Sequence, residues 1–91
     1  MYEWDEDKRQ INLSKHGLSF EDAGAVFTDP CVTFRDNRAD SREKRFITLG
    51  TLEGRIVVIA HTPRGEKTRI ISMRKANHRE QKAYTQQLEE D

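Results

Sequence analysis

The sequence predicts an α+β protein, with an antiparallel β-sheet between an N-terminal two-helix hairpin and a C-terminal helix. Two observations predict this class. Apolar residues recur at helical spacing near both ends of the chain, whereas residues 31–73 hold four short runs rich in β-branched and aromatic residues. Glycine-containing turn signals separate the last three runs, as is typical of hairpins. The predicted order is β-α-α-β-β-β-β-α.

The first helix is bounded by residues with capping chemistry. A short strand is expected over residues 2–4, and Asp5 can then cap a helix that runs to about His16. Gly17 follows where a glycine in the left-handed conformation commonly ends a helix.

A second helix is expected to end before Pro30. Ser19 and Asp22 stand three residues apart, as in a capping box. The apolar residues that recur at helical spacing here are Phe20, Ala23, Val26 and Phe27. The first two helices therefore form a hairpin.

The sheet and the last helix follow from turn signals and composition. Strands are expected over residues 31–36, 45–51, 55–62 and 68–73, with turns at Glu53-Gly54 and at Pro63-Arg64-Gly65. A helix from residue 75 to about residue 88 closes the chain. The residues expected on its apolar face are Ala76, Ala83, Tyr84 and Leu88.

Length and composition predict one small domain over residues 1–91. Hydrophobic residues make up 34% of the chain and charged residues 35%, so the core is modest and a bound partner can supply part of the stability. Candidate core residues are Trp4, Phe20, Phe27, Phe34, Phe46, residues 56–59, Ile70 and Ile71.

The cysteine count and the apolar runs exclude other classes of protein. Cys31 is the only cysteine, which excludes an internal disulfide and a cysteine-based metal cage. No group of potential ligands has metal-site spacing and no glycine-rich phosphate loop occurs, so no metal and no cofactor are predicted. No apolar run reaches membrane-spanning length, and we expect a soluble, cytoplasmic protein.

The net charge of zero conceals a strong asymmetry along the chain. Residues 64–82 hold seven Lys and Arg against two Asp and Glu, whereas residues 1–30 hold three against seven. A basic segment opposed by acidic ends indicates one bounded site for an anion. The alternative is that these charges only solvate the faces of the elements.

Three arginines of the basic segment are candidate phosphate ligands. Arg64, Arg69 and Arg74 carry planar guanidinium groups that match phosphate oxygens and keep their charge. One regular strand would place Arg69 and Arg74, five residues apart, on opposite faces, so at least one is expected beyond its strand end. Alternatively, they pair with Glu80 or with the acidic N-terminal helix.

Glu80 and Tyr84 are candidate acid–base residues, because they stand four apart on the last predicted helix and share a face. Metal-independent RNA cleavage needs a base for the ribose 2′-hydroxyl, cations for the phosphate and an acid for the leaving oxygen. Which residue is base and which is acid stays open. Alternatively, Glu80 pairs with Arg74 or Arg79 and Tyr84 packs on the sheet. His61, at a strand end, is a further candidate for proton transfer.

Four lysines are candidate RNA-binding residues. Lys8 and Lys15 lie with Asn12 on one side of the first predicted helix, where the alternative is a solvated helix face. Lys67 and Lys75 belong to the basic segment.

A series of short motifs, taken in order, resembles one bacterial family, the BrnT toxins of BrnT–BrnA toxin–antitoxin modules. The resemblance covers essentially the whole chain. Two positions depart from it: His61, where an aromatic such as Tyr is more usual, and Met73, where a small residue is common. The motif residues are Trp4, Asp5, Lys8, Asn12, Lys15-His16-Gly17, Ser19 to Ala23, Val26, Phe27, Asp29, Pro30, Arg69 to Arg74, Ala76, Glu80 and Tyr84.

This resemblance implies a RelE-like fold and a ribonuclease that stops translation. It also implies neutralisation by a small BrnA-type antitoxin of the ribbon-helix-helix class. Because such antitoxins dimerise, we expect a 2:2 heterotetramer that reaches operator DNA only through the antitoxin. RNA is the expected substrate, the ribosome is a candidate partner, and no membrane partner is expected.

Two other classes of function stay open from the residues alone. A non-catalytic nucleic-acid-binding module needs no more than the basic segment, although we expect no aromatic platform of the kind that single-strand binders place on a sheet. A pure interaction protein needs only charged faces that dock a partner.

Overall fold

One five-stranded sheet and three helices make up the described part of the chain. The structure is a computed structural model and describes residues 1–37 and 43–89. The strands are β1 (Tyr2–Glu3), β2 (Val32–Arg35), β3 (Phe46–Leu52), β4 (Arg55–Arg64) and β5 (Lys67–Lys75). The helices are α1 (Glu6–His16), α2 (Ala23–Thr28) and α3 (His78–Glu89), with a 3₁₀ turn at Phe20–Asp22. These elements confirm the α+β class.

The sheet has the order β1-β5-β4-β3-β2. Strands β2 to β5 pair antiparallel with their neighbours, which confirms the expected meander. The short β1 adds to β5 in parallel, with Tyr2 opposite Thr68 and Glu3 opposite Arg69. This parallel pairing joins the N-terminus to the basic end of β5.

The β3–β4 and β4–β5 hairpins each close with a two-residue turn. Glu53 and Gly54 have φ of 51° and 77°, which confirms the first predicted turn. The second turn lies at Gly65 and Glu66, so the predicted Pro63-Arg64-Gly65 turn is wrong for its first two residues, which belong to β4. Pro63 fits there because β3 begins opposite His61, so β5 is the one strand of the described residues that pairs with this end of β4.

The first helix has the predicted caps. The Asp5 carboxylate accepts from the N–H groups of Asp7 at 2.9 Å and Lys8 at 3.2 Å. Gly17 has φ of 70° and its N–H donates to the carbonyl of Leu13 at 2.8 Å. Helix α1 therefore begins and ends where its capping residues predict.

The other helix boundaries differ from expectation. Ser19 caps a 3₁₀ turn that precedes α2, rather than the α-helix itself. Strand β5 continues to Lys75 and α3 starts only at His78, because Ala76 still donates its N–H to the carbonyl of Ile56 beside the sheet. The expected start of the last helix at residue 75 is wrong for this reason.

Side chains alternate between two faces of the sheet, which we call the covered face and the open face. The covered face carries Val57, Ile59 and His61 of β4 and packs against α2 and the 3₁₀ turn. Its core residues with at most 1% exposure are Phe20, Ala23, Val26, Val57, Ile59, Ile70 and Met73. The open face is packed at one end by α3, through Leu49, Val58, Ala76 and Tyr84.

Helix α1 lies along the free edge of β5 rather than over a face. The side-chain amide of Asn12 donates to the carbonyl of Met73 at 2.9 Å and accepts from the Met73 N–H at 3.2 Å. It also donates to the Leu18 carbonyl at 3.1 Å. Buried Asn12 thus takes the place of a neighbouring strand at this edge.

Four of the expected core or helix-face residues are not buried. Phe34 is 50% exposed, and Ile71 is only half-buried. On α3, Ala83 and Leu88 are exposed although Tyr84 and Ala76 are buried, because the helix contacts the sheet along a narrow strip. These four expectations are wrong, and the first two residues mark the open face and the sheet edge.

Candidate active site

An extra residue in β5 decides where the arginines lie. The pairing of β4 with β5 shifts by one residue between Ala60 and His61, and Ile71 is left as a bulge. A regular strand would place Arg69 and Arg74 on opposite faces, but the bulge reverses the alternation once. Both arginines therefore lie on the open face and within β5, so the expectation of an arginine beyond the strand end is wrong.

Arg74 is held by a two-pronged ion pair. Its Nη1 and Nη2 atoms donate to Oε1 and Oε2 of Glu80, each at 2.7 Å. This pairing raises the pKa of Arg74 above its ordinary value, chiefly through the hydrogen bond to Glu80. The side chain of Arg74 keeps 41% exposure, so a ligand can reach the guanidinium from solvent.

The start of α3 fixes Glu80 in turn. Glu80 Oε1 accepts from the Asn77 N–H at 2.9 Å, and the Glu80 N–H donates to Asn77 Oδ1 at 2.8 Å. This reciprocal capping box locates the carboxylate before any ligand binds. Sequence reasoning missed Asn77, although an Asn three residues before a Glu is a readable signal for a helix start.

Arg69 also has a carboxylate partner. Its Nη1 donates to Glu3 Oε2 at 2.7 Å, and both side chains are 28% exposed. The parallel register of β1 and β5 places Glu3 directly beside Arg69. Glu3 was missed because no local pattern reveals which strand pairs with the N-terminus.

Arg64 and Lys67 extend the basic end of the sheet. They face each other across the Gly65–Glu66 turn and are exposed. Arg64 also borders a surface cavity of about 440 Å³ whose other lining residues are Glu43, Lys44, Thr62 and Pro63. These two cations lie beyond Arg69 along the same hairpin.

Tyr84 projects from α3 into the packing between this helix and the sheet. Its ring is buried, with 6% exposure, in the cluster that contains Leu49 and Val58. Its hydroxyl donates to the carbonyl of Pro30 at 2.9 Å. To exchange protons with a ligand, the phenol would have to leave this bond, so the geometry favours the packing alternative.

His61 lies on the covered face, across the sheet from the arginines. Its ring contacts Phe27 edge-on at 5.0 Å and stacks beside Phe46 at 6.1 Å between ring centroids. Its Nε2 is 2.7 Å from Thr48 Oγ1, which is 2.7 Å from Thr33 Oγ1. Burial lowers the pKa of His61. The structure does not bring this histidine together with the other candidates.

The other candidate lysines lie at separate places. Lys8 and Lys15 border a groove of about 220 Å³ between α1 and β5, with Ile71 and Ser72 on its other side. Lys75 is exposed at the end of β5, beside the turn at Gly54. No one surface contains all four RNA-binding candidates, since Lys67 lies at the opposite end of β5.

The open face thus gathers Arg69, Arg74 and Glu80 around a strip of small side chains. Ser72 lies between the two arginines on β5 and pairs with Ala60 on β4. Two guanidinium groups on either side of an uncharged strip can bind one anion, and the carboxylate can accept a proton.

Within residues 1–37 and 43–89, no group of three or more His, Cys, Asp or Glu could hold a metal ion. No helix among those residues combines the length and the apolar character that crossing a membrane requires.

Comparison with known families identifies the chain's relatives. The family model described as "Ribonuclease toxin, BrnT, of type II toxin-antitoxin system" matches residues 4–80. No curated protein matches the chain significantly. Because the family match covers most of the sequence, the chain belongs to the BrnT family of ribonuclease toxins, and the predicted resemblance is confirmed. Membership implies an RNA substrate and an antitoxin partner.

Proposed function

We propose that this member of the BrnT family is a RelE-like endoribonuclease that cleaves RNA without a metal ion. Arg69 and Arg74 bind the scissile phosphate, and Glu80 acts on the ribose 2′-hydroxyl. The observation that carries the proposal is the register shift at Ile71, which gives both arginines one face. The proposal treats residues 1–91 as one toxin domain that inhibits translation in the cytoplasm.

The donor geometry of Arg74 supports a phosphate-binding role. A guanidinium has five N–H donors, and Glu80 occupies one on each Nη atom of Arg74. The Nε–H and the second N–H of Nη2 form another edge of the same planar group. That free edge can bind two phosphate oxygens while Glu80 holds the edge formed by Nη1 and Nη2. The ion pair therefore orients the arginine for its ligand. Arg69 supplies the second cation.

Glu80 is the proposed base in a balanced transfer of one proton. Its carboxylate takes the proton of the 2′-hydroxyl as the 2′-oxygen bonds to phosphorus. The bond from phosphorus to the 5′-oxygen then breaks, leaving a cyclic phosphate, and water protonates the leaving oxygen. Water is the proposed acid because His61 lies across the sheet and the Tyr84 hydroxyl is bonded to Pro30. Arg64 adds positive potential near the entry to this face.

The proposed partner is a BrnA-type ribbon-helix-helix antitoxin in a 2:2 complex that contacts operator DNA through the antitoxin alone. Part of the support is the polar composition, since 35% of residues are charged and binding raises the stability of a small core. Sedimentation of the purified complex tests the stoichiometry. If the complex sediments only as one toxin with one antitoxin at micromolar concentration, the 2:2 stoichiometry is wrong.

A second function follows if the arginines bind RNA without cleaving it. The ion pair of Arg74 with Glu80 favours this alternative, because a carboxylate that holds a guanidinium with both oxygens is a weaker base. Incubating RNA with the protein, with and without EDTA, separates the two. Cleavage that persists in EDTA supports the ribonuclease, whereas stable binding without cleavage supports the module.

Glu80→Gln tests whether the carboxylate is a base. The amide retains one acceptor for Arg74, so we expect RNA affinity to change little. The single-turnover cleavage rate should fall about 10²-fold or more, as is usual when a general catalyst is lost. In the pH profile of that rate, the rise that reports deprotonation of the base should disappear.

Glu66→Gln is the matched control, because Glu66 lies exposed in the β4–β5 turn. It should cleave RNA as the wild type does. A normal rate in Glu80→Gln would leave Glu80 as a structural partner of Arg74. A lost affinity with an unchanged pH profile would make it a positioning residue.

A further inference from the structure

Among the described residues, one aromatic side chain of the strands projects into solvent on the open face. Phe34 of the edge strand β2 is 50% exposed and packs in neither hydrophobic cluster. Val32, two residues earlier on the same face, packs beneath α3. Helix α3 therefore ends the packing before it reaches Phe34.

Pairing register connects this ring to the proposed active site. Phe34 lies opposite Ile47, Ile47 opposite Ala60, and Ala60 opposite Ser72. The four side chains form one row across the open face, which we call the neutral strip. All are uncharged, and Ala60 and Ser72 are small.

The neutral strip starts between the two arginines. Ser72 lies between Arg69 and Arg74 on β5, because the bulge puts all three on the open face. Three steps between strands of about 4.8 Å each place Phe34 about 14 Å from Ser72. An extended single strand spans such a distance with few nucleotides, so a base and a nearby phosphate can occupy the two ends together.

We propose that Phe34 is a base-stacking residue, on which a nucleobase of single-stranded RNA packs while a nearby phosphate of the same strand binds Arg69 and Arg74. This inference rests on the proposed function and adds a subsite to it. An aromatic ring stacks on any base, whereas guanidinium groups bind the charged backbone. The two ends of the neutral strip complement the two parts of a nucleotide. The arginines at one end suit the phosphate, and the aromatic ring at the other end suits the base.

The ring also corrects an expectation from the sequence. Phe34 was expected in the core, and no aromatic platform was expected on the sheet. A nucleobase accounts for an exposed ring on the arginine face, and the charge of that face favours RNA over a second copy of this neutral chain.

A fluorescent oligonucleotide tests the subsite. The probe is a short single-stranded 2′-O-methyl RNA that carries 2-aminopurine, which cannot be cleaved by 2′-hydroxyl attack and loses fluorescence when its base stacks. The variants are Phe34→Leu, which keeps an apolar side chain without a ring, and Phe34→Trp, which keeps a ring. Leu13→Ala on α1 controls for loss of an exposed apolar side chain, since Leu13 is 41% exposed.

For the wild type, binding should quench the fluorescence. Phe34→Leu should lose the quenching and bind the probe at least about 10-fold more weakly. Phe34→Trp should keep both the quenching and the affinity of the wild type. Leu13→Ala should match the wild type, and all variants should keep the wild-type melting temperature.

Quenching and affinity in Phe34→Leu that equal the wild-type values would overturn the inference. So would a wild type that sediments as a dimer, with Phe34→Leu a monomer of unchanged RNA affinity, because the ring would then bind a second copy. Failure of the proposed function gives a different result: the wild type would leave unmodified RNA intact, whatever happens at Phe34.

Discussion

The two faces of the sheet satisfy their polar groups in different ways. On the covered face, the neutral side chains of Thr33, Thr48 and His61 bond to one another. On the open face, charged side chains pair across elements, as Arg69 does with Glu3 and Arg74 with Glu80. One face thus supplies a dry core, and the other supplies charges that solvent and a ligand can reach.

Stability and chemistry therefore depend on different parts of the sheet. Changes on the covered face or at the sheet edge should alter the free energy of unfolding and leave the cleavage rate of folded molecules unchanged. Changes to the exposed charged side chains of the open face, outside the cluster under α3, should do the reverse. Three variants with matched controls test that division, in decreasing order of their effect on stability.

Asn12→Ala should cause the largest loss of stability. It leaves the buried N–H and carbonyl of Met73 without their partner, at a cost of about 2–4 kcal/mol in the free energy of unfolding. Chemical denaturation measures the loss. Ser14→Ala is the control, because Ser14 is exposed on the same helix and alanine favours a helix. Equal stability of the two variants would contradict the role of Asn12 as a substitute strand.

Gly50→Ala should cost about 1–3 kcal/mol of stability, because the covered face has no room for a methyl group there. A Cβ at Gly50 would lie 2.6 Å from Val26 Cγ1 and 3.3 Å from Cys31 Cβ. Gly24→Ala is the matched control in α2, since its Cβ meets Tyr2 at 3.4 Å and alanine stabilises a helix. In thermal melts, the melting temperature of Gly50→Ala should be lower than that of the wild type. That of Gly24→Ala should equal or exceed the wild-type value. The reverse order would refute close packing between β3 and α2.

His61 should give the smallest effect, a pH dependence of stability. Burial lowers its pKa below the ordinary value of 6.5, so the unfolded chain binds more protons in the window between the two values. Its contribution to stability is complete above about pH 6.5 and is lost as the pH falls toward the folded pKa.

His61→Phe should remove this part of the pH dependence while it keeps a ring between Phe27 and Phe46. Denaturation from pH 5 to 8 measures the slope. The exposed control His78→Gln should retain the wild-type slope. If His61→Phe retains it too, His61 is not buried as a neutral ring.

Local signals in the sequence predicted the regular elements well. Asp5 and Gly17 marked the ends of α1 because capping depends on single side chains. The Glu53-Gly54 turn was equally clear, since both of its residues need positive φ. The two residues expected to differ from the resembled pattern also have structural roles. The ring of His61 stacks as an aromatic does, and Met73 is completely buried in the core.

The features that build the candidate site depend on pairing between distant segments, and the sequence did not reveal them. The bulge at Ile71 has no glycine to announce it, and the parallel pairing of β1 with β5 decides that Glu3 meets Arg69. Exposure of Phe34 depends on where α3 stops covering the sheet. The arginines themselves were predicted from their chemistry. That they share one face follows only from the pairing register of β4 with β5.

If Arg69 and Arg74 bind one phosphate on the open face, their effects on RNA cleavage are not independent, and a double-mutant cycle of single-turnover rates measures this. Arg69→Ala and Arg74→Ala should each slow cleavage by about 10²-fold or more. Because either loss breaks the same cradle, the double variant should be far faster than the product of the two single effects predicts. Arg55→Ala, on an exposed arginine of the β3–β4 hairpin, should cleave normally. Two independent effects that multiply in the double variant would show that the arginines act at separate sites and would contradict a shared phosphate site.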